Sequence, residues 1–402
     1  MVKVAKKIFL ILLVVVVLVQ IPFIYRRYQT GNLFEKIAQL HSQRNAIPNP
    51  IFNEYKGVIH AHTSLGGHST GGFDELIVAA NANDLDFVMM TEHWSEALDT
   101  SVLTLNGVYG KTLFVGGNEV DTVDSDRFLL IPGSAEAAGF RNISTDAFLE
   151  KVHCENKLAL VTYPENFKSW DSEFDGIEVF SLHTNAKSMN PLTALFDLVW
   201  SFPAYPELTF ANYFKRPDAN LRKFDETSAK RKISLFAGAD AHSNIGFHLF
   251  SDAAGNKLIN FKIDSYETIF RLARAHVLIE KEKPLTRENL IEALKNGRYF
   301  VGFDVIGDTS GFQFFAQSNQ GTTFMGNEQF LGHFLVLKAA SPSPARFVLF
   351  RNGERIAESE VNTQYSFAPT EPGAYRLEVY LDQLGPPFNK MPWIISNPIY
   401  VR

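Results

Sequence analysis

The chain has almost no cysteine: Cys154 stands alone among 402 residues. That excludes an intrachain disulfide framework and any cysteine-rich zinc site. It also lacks an excess of positive charge, with 38 Lys and Arg against 44 Asp and Glu for a formal balance of −6, so no nucleic-acid partner is indicated. Long runs of like charge, internal repeats and low-complexity tracts are missing, which excludes a charged disordered tail and a solenoid. What remains, 46% hydrophobic and 20% charged residues, is the composition of a globular protein. The length suits two domains and an extension. Oligomeric state leaves no mark on such figures.

Long hydrophobic runs are absent except at the N-terminus. There "KKIFLILLVVVVLVQIPFI" follows Lys3 and is followed by Arg26 and Arg27. The run from Ile8 to Ile24 has the length of a spanning helix, roughly 17–25 residues. It exceeds the roughly 7–15-residue apolar region of a signal peptide, and no small-x-small cleavage site follows. The expectation is a retained single-pass anchor over residues 1–28 in the cytoplasmic (inner) membrane, with a cleaved signal peptide as the alternative. Lys3, Lys6 and Lys7 favour a cytoplasmic N-terminus; the two arginines oppose it. The body is therefore expected on the periplasmic or otherwise extracytoplasmic side.

Residues 29–50 read as a stalk, 51–310 as one domain and 311–402 as another. In the first domain, strand-like runs ("GVIHAH", "LDFVMMTEH", "KTLFVGGNEV", "RFLLIPG", "LALVTYP", "GIEVFS", "ISLFAGADAH") alternate with helical ones ("GFDELIVAANAND", "STDAFLEKVHCEN", "NPLTALFDLVW", "TRENLIEALKNG"). That alternation gives an α/β fold with a largely parallel sheet, open or closed into a barrel. After residue 310 only strand-like runs appear, separated by turns such as "RNGE" and "EPGA", and a small antiparallel β-sandwich is expected.

The 11 histidines are not evenly spent. "KGVIHAHTSLGGHSTGG" holds His60, His62 and His68, the first two being two apart near the end of a strand and so on one face. His93 ends "VMMTEH", Glu119 ends "LFVGGNEV", and Asp240 and His242 end "LFAGADAH". In α/β sheets and barrels, ligands gather beyond the carboxyl ends of strands, which would bring these residues to one rim. Imidazole and carboxylate together suit Zn, Mn or Fe(II). A single histidine at a strand end is ordinarily structural; paired H-x-H and D-x-H at several ends form a metal site. His183, in "IEVFSLHTN", lies just past another strand as a ligand or substrate contact, and Glu178 is equally placed for that role, with bracing of the rim as the alternative. His41, His153, His276 and His333 fall outside the constellation, and His248 is open.

"HAH" with a third histidine six residues on, followed by "TEH", "NEV" and "GADAHS", resembles the motif set of the PHP (polymerase and histidinol phosphatase) metallophosphoesterases over residues 55–305. "GRYFVGFD" and "PWIISNPIYV" are similar to a bacterial, carbaryl-hydrolase-like branch of that family. The resemblance implies a distorted seven-stranded β/α barrel. It assigns one ion to His60, His62, Glu119 and Asp240 and another to His68, His93 and His242, with Glu119 bridging to a further ion in trinuclear members. At that third ion the chain departs from the family: Tyr163 precedes Pro164 where His-Pro is common, and Asp126 and Arg127 stand where another histidine is expected. Two ions are the working count, with Tyr163 as weak ligand or proton donor and Arg127 as a fixed positive charge.

Two ions suit hydrolysis of a phosphate ester, since they acidify water and neutralise phosphoryl oxygens. Asp240 then orients the attacking water, and His242 or Tyr163 protonates the leaving group. "WSFPAYPELTFANYFKRPDANLRKF", residues 200–224, reads either as an amphipathic helix pair or as a lid offering Lys215, Arg216, Arg222 or Lys223 to phosphate; Arg216 and Arg222 are the expected substrate contacts. The competing readings are a metal-dependent carbamate or carboxyl ester hydrolase and a metal-binding module without turnover.

Overall fold

The structure is a computed structural model describing residues 2–187, 189–251 and 257–402. It opens with a single helix, α1 (Val2–Ser42), which runs through Pro22 and well past the apolar stretch. The expected stalk is thus helical to Ser42, and it is not free. Thr30 and Leu33 are buried, Asn212 Nδ2 donates to Thr30 Oγ1 at 3.1 Å, and beyond the helix the Asn45 amide donates to the Pro342 carbonyl at 2.8 Å.

The α/β body is built on β1 (Phe52–Ala61), β2 (Phe87–Met90), β3 (Glu92–His93), β4 (Thr112–Val115), β5 (Asn118–Asp121), β6 (Arg127–Ile131), β7 (Leu158–Val161), β8 (Gly176–Ser181) and β9 (Ser234–Ala241). The run "KTLFVGGNEV" is not one strand. Gly116 and Gly117 divide it, and a Cβ at Gly117 would stand 2.6 Å from the Met90 carbonyl, so that position admits only glycine. β1 pairs in parallel with β2 and β9; β2 pairs with β4 and β3 with β5; β5–β6 and β6–β7 are antiparallel; β7–β8 and β8–β9 are parallel. From β1 the pairings run one way through β2 to β4 and the other way through β9, β8, β7, β6 and β5 to β3, which follows β2 along the chain after Thr91.

These strands read as unbroken apolar runs because both faces are covered. Alternate side chains, among them Ile59, Met89, Val115, Leu129, Leu160 and Phe236, form one cluster together with Leu290 and Leu294 of the helix Arg287–Lys295. The intervening ones, including Val58, Val88, Phe128 and Val161, pack with Leu76 of α2 (Phe73–Ala82) and Phe148 of α3 (Thr145–Cys154). Ser144 caps α3, its hydroxyl accepting from the Ala147 amide. The aromatic stretch after residue 180 forms four short helices: α4 (Leu182–Lys187), α5 (Pro191–Trp200), α6 (Pro206–Ala211) and α7 (Asp218–Ser228).

The C-terminal strands are joined to this body rather than strung after it. β10 (Arg274–Glu280) pairs antiparallel with β1 and with β11 (Tyr299–Gly302), and β11 pairs with Ile394–Ser396 at the far end of the chain. Buried Asn397 takes the Leu235 amide on Oδ1 at 2.7 Å and donates Nδ2 to the carbonyls of Leu235 and Tyr299. Fully buried Arg376 forks the Asp225 carboxylate of α7 with bonds of 2.6 and 2.7 Å and also holds Glu378. Desolvation makes such ions costly, but removing one partner from a buried group costs roughly 3–5 kcal/mol. The network fixes α7 to the C-terminal strands.

His276 on β10 is another buried ion. Its Nδ1 lies 2.7 Å from Glu54 Oε1 and its Nε2 3.2 Å from Asp304 Oδ2. Burial alone would lower its pKa; Asp304 and Glu54 outweigh it and push it up to about 9. A raised folded-state pKa stabilises fully below the ordinary value of 6.5 and ceases to do so as pH rises through about 9. Melting temperature is expected to fall across that window, and a His276→Gln/Asp304→Asn double variant to lose that part of the slope.

Candidate metal centre

The first-strand histidines reach their places by a break in regular pairing. Ile59 pairs with Gly238 and Met89, yet Ala61 pairs with Ala241 and Met90, so the register slips on both sides of His60. His60 takes φ 75°, Asp240 φ 44° and Tyr163 φ 51°. Left-handed backbone is uncommon outside glycine and costs about 1–2 kcal/mol per residue. Here it turns three polar side chains toward one point.

That point is ringed by imidazoles about two carboxylates. Glu119 Oε2 lies 3.4 Å from His60 Nε2, 3.3 Å from His62 Nε2 and 3.7 Å from His93 Nε2. Asp240 Oδ1 lies 3.4 Å from His60 Nε2, 3.5 Å from His62 Nε2 and 3.3 Å from His242 Nδ1. The His62 ring stacks between His93 and His242, with centroids 4.7 and 4.4 Å away, and His68 lies 4.5 Å from His93 at the exposed edge. Among the described residues, two donor groups are compact enough to hold an ion: His60, His62 and Glu119, and His62, His93 and His242.

The hydrogen bonding fits cations better than it fits the bare side chains. Among the described residues, both ring nitrogens of His62 and Asp240 Oδ1 are buried without a well-aligned hydrogen-bond partner, the oxygens facing His62 Nε2 and the His242 nitrogen facing Asp240 Oδ1 standing off at 3.3–3.5 Å. Buried polar atoms are nearly always paired, and each orphan costs about 1–3 kcal/mol. Burial lowers the His62 pKa and takes that of His93 down to about 3, so both present neutral lone pairs. Burial would raise Glu119, but His60, His62 and His93 outweigh it and hold it at about 2. Asp240 is likewise held well below the usual carboxylate range: burial opposes this, and His60, His62 and His242 prevail. His60 goes the other way; Asp240, Glu178 and Glu119 overcome its burial and raise it well above the ordinary value. A cation among these carboxylates would compete with that proton.

The other oxygen of Glu119 is spoken for. Arg127 Nη1 lies 3.3 Å from Oε1, while Arg127 Nε donates to Asp121 Oδ1 at 2.6 Å. The guanidinium also lies 5.5 Å from the centroid of the Tyr163 ring, and the Tyr163 hydroxyl donates to Asp240 Oδ2 at 2.8 Å. Burial and the charges of Asp240 and Glu119 raise the Tyr163 pKa, keeping it a proton carrier at neutral pH.

Behind the site, Glu178 Oε1 takes His60 Nδ1 at 2.9 Å, and its other oxygen accepts from Thr162. A Cβ at Gly238 would stand 1.5 Å from Glu178 Oε1, so only glycine leaves room for that brace. Asp121, which sequence reasoning passed over, lines the cavity; its nearness to Arg127, six residues on across a hairpin, was the available signal.

His68, His93, His242, Asp240, Tyr163 and Arg127 face a cavity of about 660 Å³ whose far wall is apolar. His183 is exposed at the same mouth, its ring 6.2 Å from that of Tyr163 and outside both donor groups. Arg216 and Arg222 are not brought there. Arg216 is committed to Glu378 through bonds of 2.7 and 2.5 Å, and both arginines line a shallow hollow at the C-terminal strands. Of the other histidines, His153 meets Asp175 at 3.2 Å, and the side chain of His248 lies outside the described residues.

No family model and no curated protein matches the chain. Among solved structures, a two-domain protein from Bacteroides vulgatus, containing a predicted PHP-like metal-dependent phosphoesterase, is 14% identical over 88% of this chain and 97% of its own, with a TM-score of 0.37. PsfC from Pseudomonas syringae is 12% identical over 60% of this chain and 89% of its own, at 0.34. Endonuclease Q, bound to a 27-mer duplex with an abasic lesion, is 13% identical over 60% and 57%, at 0.35. All three scores lie below 0.5, and the functional reading rests on the donor set and the motifs.

Loss of a carboxylate that orients a metal-bound histidine typically weakens metal affinity about 10–100-fold. Calorimetric titration with Mn or Zn is expected to show that loss in both Gly238→Ala and Glu178→Gln, with folding intact in the second. Unchanged affinity in Glu178→Gln would remove Glu178 from the site.

Proposed function

We propose that the protein is a membrane-anchored, metal-dependent hydrolase that uses two divalent cations to cleave a phosphate ester. The observation that carries this reading is the set of unpaired buried atoms, both His62 nitrogens and Asp240 Oδ1, amid anionic carboxylates and neutral imidazoles. His60, His62, Glu119 and Asp240 would hold one ion; His68, His93 and His242 would hold the other. Zn, Mn and Fe(II) all suit nitrogen and oxygen donors of this kind. The strands of the α/β body are read as the distorted seven-stranded barrel that the motif resemblance implies, and the C-terminal strands as its β-sandwich companion.

Ions bound there supply charge neutralisation and water acidified from a pKa of 15.7 towards about 7. The chain's own residues do the rest. Tyr163 holds a proton at Oη beside Asp240, where it orients that carboxylate and faces the cavity as a donor to a leaving group. Arg127 presents a permanent positive charge on the same side, tied by Glu119 and Asp121. Because it holds Glu119 Oε1, that oxygen is not offered to a third ion, and two is the count proposed. His183 stands at the mouth as a substrate contact.

Anchoring is supported by α1. Its apolar run is exposed from Ile8 to Val19 and is long and apolar enough to cross a membrane, while its later turns are built into the body. The placement proposed is the cytoplasmic membrane with the body outside the cytoplasm. One observation favours a second reading of the reaction: Arg127 is the only Lys or Arg among the described residues lining the cavity, which also suits a neutral carbamate or carboxyl ester.

A panel of phosphomonoesters, phosphodiesters, carbamates and carboxyl esters, assayed with Mn or Zn, separates the readings. Phosphate-ester turnover is expected, abolished in His62→Ala and Asp240→Asn. In Arg127→Ala, kcat should drop by about 10²–10³, the usual cost of one charge-stabilising donor. Turnover of carbamates alone would select the second reading. Bound metal without turnover of any ester would leave a binding module.

A further inference from the structure

The segment that walls the cavity also grips the N-terminal helix. Residues 182–214 supply Leu182, Met189, Phe210 and Phe214 to the cavity. Between them α5 packs on α1 at the end of its apolar run. Trp200 Nε1 donates to Gln20 Oε1 at 2.9 Å, and Phe23 stacks on Phe196 with centroids 4.3 Å apart. Arg26 Nε donates to Asp197 Oδ1 at 2.9 Å, and Arg27 Nη1 to the Trp200 carbonyl at 3.0 Å.

That contact fixes the depth of α5. A hydrocarbon core of about 30 Å takes about 20 helical residues at roughly 1.5 Å each. Counted from Lys6 and Lys7, the core ends near Arg26 and Arg27, the level at which α5 is attached. Exposed Tyr25 and Tyr28 lie at the same level, where amphipathic rings concentrate in membrane proteins.

The outer face of α5 is dressed for that place. Leu192, Leu195 and Val199 share one face and are 62%, 57% and 60% exposed. The helix's one charged residue, Asp197, points inward, buried against Arg26 and Tyr213. The same contacts lead to the cavity: Tyr213 Oη donates to Asp197 Oδ2 at 2.6 Å, and cavity-lining Asn185 donates to the Tyr213 carbonyl at 3.1 Å.

We propose that α5 lies in the headgroup region of the bilayer and that the cavity takes its phosphate ester from a membrane lipid. The phosphate would sit against the cations that the histidine and carboxylate donors would hold, and the first acyl carbons against Leu182, Met189, Phe210 and Phe214. The substrate half rests on the hydrolase reading above; the placement of α5 rests on α1 spanning the membrane. A protein partner or a second copy could cover the same face, but continuity with the spanning helix selects lipid.

The full chain in phosphatidylcholine vesicles, supplied with Mn, would be assayed on phosphatidic acid and phosphatidylglycerol in the bilayer and on water-soluble p-nitrophenyl phosphate and bis-p-nitrophenyl phosphate. Leu192→Glu/Leu195→Glu is expected to lose lipid turnover tenfold or more and to keep turnover of the soluble esters. Equal loss on both, or wild-type activity on soluble esters alone, overturns the substrate assignment. Inactivity on all four overturns the phosphate-ester reading and this substrate with it. Independently of activity, a nitroxide at Leu195→Cys in a Cys154→Ala background should be more accessible to oxygen than to a nickel chelate. Water-like accessibility, or spin–spin broadening from a second copy, overturns the placement of α5.

Discussion

Two buried carboxylates, Glu119 and Asp240, set the terms for everything around them. Neither can be buried as a lone anion without a large cost, and the chain answers with four imidazoles from three separate segments and one guanidinium. The register slip at His60 and the left-handed turns at His60, Tyr163 and Asp240 follow from aiming those groups inward. Even so the set is not self-sufficient, because His62 and Asp240 Oδ1 keep unpaired atoms at its centre. Residual demand of this kind is what supports the proposed cation site.

The surrounding fold keeps that demand from relaxing. Glu178 fixes His60 from behind, and Gly238 leaves the space in which it does so. On the other side of β9, Asn397 ties Leu235 to the last residues of the chain, and Arg376 locks α7 through Asp225. The C-terminal strands thereby stiffen the strand that carries Asp240 and His242. Rigidity matters in a ring of like imidazoles, which would otherwise splay apart.

Much of the site could be read in the chain because its motifs sit at strand ends, where chemistry and periodicity coincide. The clustering of His60, His62, His93, Glu119, Asp240 and His242 follows from that alone, although the side chains converge through a bulge at His60 rather than through simple two-residue alternation. The fate of Arg216 was not legible: its partner strand lies far along the chain, and nothing local announces Glu378. Nor was the helical continuation of α1 to Ser42, since its buried positions, Thr30 and Leu33, acquire meaning only against α6 and its neighbours. Glu178 could be placed by sequence but not distinguished from any other strand-end carboxylate until the Gly238 cleft was seen.

Elemental analysis of the intact protein, purified without added metal and again after incubation with Mn, Zn or Fe(II), tests the central claim most directly. Two ions per chain, lowered by Asp240→Asn and by His62→Ala, is the predicted result. A chain that carries none and takes none up would contradict it, and the unpaired nitrogens of His62 would then require another occupant.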